Sequence, residues 1–452
     1  MAWALGMVLA VPAWGQETPT PPTADTTPSQ QTRQPWFPYE AGLQVTLIDQ
    51  NLSRFHSPYS GPNSLPSQNE NELSDTYTLY LGTRFLPWLE VFVNPEMARG
   101  RGIGNTLGLA GYTNGDVIRN PTLGQDPYLG RYFVRFTLAT GHGTEDVPVG
   151  ENQIAGKRPM HRLVLTMGKV SAGDFFDLNS YANSTRTQFM NWSLINNGAW
   201  DYAADTRGYT VGAALEWIHP DWALRIGSFQ MPTVANGPDL AGDWIHNRGD
   251  QIEAEFHPKL LKSRDPLIIR ALAYRNFAHM GSYDAALALA AKTGATPDIT
   301  AIETPGAVKY GYGLNFEQAL GDGGQTGIFG RLGWNNGTTE SFAYTEVDRT
   351  FGAGLQVSGA RWRRKQDYAA IALVQNDLSS AHKNYLAAGG LGFLLGDGTL
   401  SYAPERILET YYSFHVGPSV SLGPDYQLIV NPGYNSDRGP VSVVSFRLHL
   451  EL

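Results

Sequence analysis

The stretch Val444-Ser445-Phe446-Arg447-Leu448-His449-Leu450-Glu451-Leu452 alternates at every step. Val444, Phe446, Leu448, Leu450 and Leu452 fall on one face, and Ser445, Arg447, His449 and Glu451 on the other. Period two is the signature of a strand whose faces meet different surroundings. The scheme recurs upstream. Tyr132, Val134 and Phe136 oppose Arg131 and Arg135, Ile252 and Ala254 trade places with Glu253 and Glu255, and Lys309 to Glu317 turn Tyr310, Tyr312, Leu314 and Phe316 to one side. Alternation alone does not say which face meets the apolar phase, because a soluble sandwich would turn the same residues inward.

Composition and connections narrow the choice. Among 452 residues only 17% are charged, against about 25% in typical soluble domains. Glycine is abundant at 50, and 11 Trp, 22 Tyr and 19 Phe supply many rings. Nowhere do about 20 apolar residues run together, which a membrane-spanning helix needs. A net charge of −9 disfavours nucleic acid, whose phosphates are bound through Lys and Arg. The absence of cysteine excludes disulfides, zinc thiolate sites and cysteine nucleophiles.

Sixteen candidate strands follow one another, from residues 40–50 to 440–452. The links between them alternate between short turns containing Pro, Gly or Asp, such as His219-Pro220-Asp221, and longer loops. The stretch 141–159 is the one awkwardly long member of the short set. An even strand number, short turns at one end and long loops at the other predict an all-β, transmembrane antiparallel barrel in a bacterial outer membrane, with the short turns periplasmic and the long loops extracellular. Strands of about ten residues suit a tilted crossing, and closure removes edges that lipid cannot satisfy. Residues 1–15 read as an export signal, apolar and ending in small residues; the missing basic residue leaves open a start upstream of Met1. Residues 16–39, rich in Thr, Pro and Gln, read as an extended linker, and 40–452 as the barrel. Two long loops predict helices, at Tyr283 to Lys292 before Gly294 and at His382 to Ala388 before Gly389.

The third long loop, about 171–207, carries Asp174-Phe175-Phe176-Asp177, Arg186 to Trp192 and Gly198 to Tyr202. Folded into the lumen, it would bring ring faces for the C–H patches of a sugar and planar polar groups for its hydroxyls. The expected solute contacts are Arg186, Asn191, Trp192 and Trp200 on this loop, facing Glu96, Arg99 and Arg101 on and just beyond the third strand and Arg131 and Arg135 on the fourth. Further inward positions are Glu90, Asn94, Arg225, Glu253, Glu255 and Arg331. Each of these groups could equally serve the wall, the tryptophans by packing and the charges by salt bridges. For the last strand, the expectation is that Phe446 and Leu448 meet lipid while Arg447 and His449 meet water.

Several segments resemble the carbohydrate-selective porins of Gram-negative outer membranes, the OprB family. They are Asn94-Pro95-Glu96-Met97-Ala98-Arg99-Gly100-Arg101-Gly102, Arg186 to Tyr209, Gly333-Trp334-Asn335-Asn336-Gly337, Thr345-Glu346-Val347-Asp348-Arg349, Pro404-Glu405-Arg406-Ile407-Leu408-Glu409 and Asn431-Pro432-Gly433-Tyr434-Asn435. The resemblance spans Ser74 to Leu452 and implies a sixteen-stranded porin that passes small carbohydrates, is embedded among outer-membrane lipids and uses no cofactor or metal. Porins of this strand number commonly form homotrimers, and monomers occur. One departure is Leu452, where outer-membrane barrels usually end in Phe. Enzymatic readings fare worse: Gly100-x-Gly102-x-Gly104 lacks the strand-turn-helix setting of a phosphate loop. Glu253 and Glu255 share a face, but nothing else marks them as a glycosidase pair. The resulting expectation is passive, selective diffusion of sugars. Its alternative is a surface-binding or structural barrel whose lumen is plugged by its loops, which single-channel conductance separates.

Overall fold

The computed structural model describes residues 38–117, 122–258, 267–344 and 346–452. The expected export signal, almost all of the linker, most of the turn near 258–266 and Thr345 lie outside the described residues.

Sixteen strands close into one antiparallel barrel. In chain order they are β1 (Tyr39–Leu52), β2 (Glu70–Leu86), β3 (Leu89–Gly100), β4 (Tyr128–Ala139), β7 (Arg162–Val170), β8 (Thr210–His219), β9 (Trp222–Gln230), β10 (Arg248–Phe256), β11 (Leu267–Met280), β12 (Thr304–Ala319), β13 (Gly327–Asn335), β14 (Arg349–Ser358), β15 (Tyr368–Asp377), β16 (Glu405–His415), β17 (Val420–Val430) and β18 (Val441–Glu451). Each pairs with its sequence neighbour, and β1 closes on β18 from Gln44 opposite Glu451 to Leu52 opposite Val443. All sixteen expected strands are present. The awkward link between β4 and β7 contains a separate hairpin, β5 (Thr144–Val147) with β6 (Gly156–Pro159).

Burial settles which way the alternation points. On β12, Tyr310, Tyr312, Leu314 and Phe316 are exposed on the outside, as are Val444 and Phe446 on β18. The opposite positions, including Glu253, Asn315, Glu317, Glu409 and Gln427, are buried inside. A polar interior behind an apolar exterior is the arrangement of a barrel in lipid.

The expected helices form at α2 (Tyr283–Thr293), ended by Gly294 at φ +73°, and α3 (Ser380–Ala387). α3 begins two residues early because the Ser379 side chain caps it, accepting from the His382 N–H. A single unexpected turn, α1 (Trp192–Ile195), sits in the third loop and is capped by Asn191.

That loop fills much of the lumen, and the wall is shaped to receive it. A Cβ on Gly333 of β13 would lie 1.9 Å from the Asn197 side-chain oxygen, and one on Gly327 would lie 2.1 Å from the Tyr181 ring. Only glycine leaves room at these two inward positions. Elsewhere, wall carboxylates hold the loop backbone: Glu253 accepts from the Asp177 N–H at 2.7 Å, and Glu409 from those of Met190 and Asn191 at 2.5 and 3.0 Å. Such bonds satisfy backbone groups that burial would otherwise leave unpaired. Phe189 packs edge-on to Tyr411 of β16 at 4.9 Å, and Arg447 donates to the carbonyls of Thr185 and Gln188 at 2.7 Å each. Arg447 and His449 were expected to meet water; both are buried, Arg447 because the loop lies over it.

Candidate functional site

Three cavities with shared linings run along the β2–β4 and β7–β8 side of the lumen. The outermost, about 120 Å³, is lined by Glu96, Asp116, Tyr128 and Arg186 among others. The middle one, about 330 Å³, shares Arg186, Arg207 and Tyr209 with it and adds Arg131, Asp174 and Trp192. The third, about 380 Å³, opens toward the turn end; it adds Glu90, Arg135 and Arg225 and shares Glu151 and Asp174 with the middle cavity.

The middle cavity carries the charge pattern. Arg131 leaves β4 inward, one register step from Phe133, and forks onto Asp174 of the third loop, at 2.8 Å from Nε to Oδ2 and 2.6 Å from Nη2 to Oδ1. Its guanidinium also lies over the Tyr209 ring at 5.1 Å. Arg186, from the loop itself, spans to the wall: Nε donates to Asp116 at 2.8 Å, Nη1 to Thr78 at 2.8 Å and Nη2 to Glu96 at 3.0 Å. Burial works against its charge, but the Asp116 and Glu96 carboxylates outweigh burial and hold Arg186 well above its usual range. Glu96 also accepts from the hydroxyls of Thr78, Tyr128 and Tyr209. Trp192 lines the cavity from the opposite side, stacked on Tyr112 at 5.6 Å and tilted against Tyr344 at 4.9 Å. The result is a collar of fixed guanidinium donors beside an aromatic edge.

Of the expected contacts, the structure brings Glu96, Arg131, Arg135, Arg186 and Trp192 to the cavities. Arg135 lies over Phe92 at 4.9 Å and donates to the Asn152 carbonyl at 2.9 Å. Four expectations are corrected. Arg99 stands three residues from Glu96 and therefore on the outer face, where it pairs with Asp75 at 2.7 Å and covers the Tyr77 ring. Arg101 lies exposed at the rim with Glu72 at 2.7 Å. Asn191 is wholly buried as the α1 cap, its amide donating to the Gly111 carbonyl and to Gln427. Trp200 is buried between Phe176 and Tyr202 and lines none of these cavities.

Glu253 and Arg331 hold the third loop to the wall, Arg331 through Asp177 at 2.8 Å and the Leu194 carbonyl at 2.7 Å. Arg225 bridges Glu216, Glu253 and Glu255. The Asn94 side-chain amide is buried without a hydrogen-bond partner among the described residues. Sequence reasoning missed Arg207, Tyr209, Asp116 and Glu151. Arg207 and Tyr209 stood at the end of the loop already singled out, whereas Asp116 and Glu151 lie in links whose inward path no local pattern marks. The second long loop also turns inward over residues 103–117, with the Ala110 and Gly111 N–H groups donating to Glu405.

The carbohydrate-selective porin family model, OprB family, matches residues 78–452. The comparison with curated proteins returns no match. Among solved structures, Pseudomonas putida OprB at high pH is similar at 17% identity and a TM-score of 0.69, over 92% of this chain and 94% of that one. The outer membrane protein OpdK from Pseudomonas aeruginosa gives 11% identity and a TM-score of 0.42, covering 91% and 99%. Salmonella typhi OmpF with daunomycin gives 10% and 0.48, covering 92% and 97%. Most of the chain answers to one family description and its barrel to that family's fold: the chain belongs to the OprB family of carbohydrate-selective porins, outer-membrane channels and not enzymes.

Proposed function

We propose that small uncharged carbohydrates diffuse passively along the three linked cavities and that Arg131, Arg186 and Trp192 of the middle cavity are the residues that select them. The observation that carries this reading is the pairing, around one space of about 330 Å³, of guanidinium donors fixed from two sides with an aromatic ring. That volume is at the small end of the roughly 300–1,000 Å³ of small-molecule sites. Arginine presents five donors in a rigid fork, and binding only to the forks and rings stays weak enough for the solute to leave. Because Asp174 and Glu96 already hold these guanidinium groups, they keep their positions when water is exchanged for hydroxyls.

The test is sugar block of the ion current. Trp192→Ala removes the ring but none of the charges, so ion conductance should hold or rise while block weakens about fivefold, the effect of roughly 1 kcal/mol. Arg131→Ala should alter both ion preference and block, because it also frees Asp174. Unchanged block in both variants would place selectivity elsewhere in the lumen.

A further inference from the structure

The link between β4 and β7 does not stay outside the barrel at the turn end. Beyond the β5–β6 stem, residues 148–155 return to the lumen, where four inward side chains of β1, β2 and β4 hold them. The Asn152 N–H donates to Glu40 at 2.9 Å, Arg135 to the Asn152 carbonyl at 2.9 Å and Arg84 to the Ile154 carbonyl at 3.2 Å, and the Gln44 amide donates to the Glu151 carboxylate. The tip is a tight turn, closed by paired backbone bonds between Gly150 and Gln153 of 3.1 and 2.9 Å. Asn152 takes φ +54° within it, a conformation that asparagine tolerates better than most residues. Ile154 is buried behind the tip. Glu151 is thus set at the apex, and its side chain lines both the middle cavity and the one toward the turn end.

The other carboxylates of the middle and outermost cavities are already engaged at both oxygens. Asp174 accepts from Arg131 and the Ser171 N–H, Asp116 from Arg186 and Thr76, and Glu96 from two tyrosines, Thr78 and Arg186. Glu151 is exposed to the cavity, and its one hydrogen-bond partner among the described residues is Gln44. An ionised carboxylate has about four acceptor positions, so most of its capacity is unused. A sugar hydroxyl is both donor and acceptor. The arginines satisfy its oxygen only; its hydrogen needs an acceptor.

We infer that the 148–155 tip is a second selectivity element, entering the passage from the turn end, and that Glu151 is a specificity-determining residue that accepts hydrogen bonds from sugar hydroxyls held by the arginines. It rests on the proposed sugar passage and extends it. Glu151 also offsets Arg131, Arg186 and Arg207 in the same cavity, which keeps small anions from dominating the current.

The test uses the full barrel in planar bilayers, with glucose as the probe and potassium chloride as the electrolyte. Glu151→Gln keeps the size of the side chain and can still accept from Gln44. It should weaken glucose block about fivefold, as for one lost hydrogen bond, and shift permeability toward chloride. Asp146→Asn makes the same charge change on the exposed stem of the hairpin and should leave both readouts unchanged. Heat-modifiable migration on detergent gels checks that each variant is folded. If glucose blocks the parent channel and Glu151→Gln leaves both block and ion preference unchanged, the inference is overturned and the sugar passage stands. If glucose does not block the parent channel, the sugar passage itself fails, and the inference with it.

Discussion

Arg186→Ala should open the passage and loosen the barrel's contents together. The side chain joins the third loop to Thr78 of β2, Glu96 of β3 and Asp116 of the second long loop. Its loss leaves Glu96 and Asp116 facing each other's charge without their shared cation. Breaking a buried pair costs about 3–5 kcal/mol; because Arg186 is 17% exposed to the cavity, about 3 kcal/mol is expected. Barrel closure does not depend on this contact, so the variant should still assemble. Its conductance should rise severalfold with increased current noise, and its midpoint in urea should fall. A conductance equal to that of the parent protein would mean that the loop is held by its other anchors, Glu409, Arg331 and Arg447.

The second large effect lies on the outer face. Leu314 is 49% exposed near the middle of the lipid-facing run of β12, with Ala271 and Leu332 directly opposite on the neighbouring strands. Leu314→Arg should destabilise the barrel by about 2–4 kcal/mol, the cost of a basic side chain at the bilayer midplane, as measured by urea unfolding in a bilayer. Phe446→Arg faces lipid too, but the register places Asp49 opposite it on β1. That carboxylate should hold the cost to about 1 kcal/mol. Equal and negligible effects at both positions would contradict the assignment of this face to lipid.

How much of this was legible in the sequence follows from the distance over which each signal acts. Strand positions and faces were readable because alternation is local: two neighbouring residues on β18 already report opposite surroundings. Arg131 and Arg135 were placed correctly for the same reason. Arg99 was misplaced where that rule was not carried through, since three steps from Glu96 reverse the face. Inside the third loop there is no period to read. Trp192 and Trp200 have the same chemistry, but one lines a cavity and the other is packed against Phe176, a difference made by the loop's path. The segments that resemble the family proved to be largely anchors. Glu405 and Glu409, four apart and therefore on one face, clamp the second and third loops, while Asn335 donates to the Ala199 and Val347 carbonyls. The hairpin tip bearing Glu151 gave no signal beyond the unusual length of its link, because its inward return is fixed by Glu40, Gln44, Arg84 and Arg135 on other strands.

Liposome swelling with the purified barrel tests the central claim most directly. Uncharged monosaccharides should enter readily, uncharged disaccharides more slowly, and acidic sugars of monosaccharide size at a rate that changes with salt concentration, because the collar of arginines and carboxylates is screened by added ions. Vesicles that swell in none of these solutes would show a lumen plugged by its loops. Rates that follow solute size alone, with no dependence on charge or salt, would contradict selection by this collar.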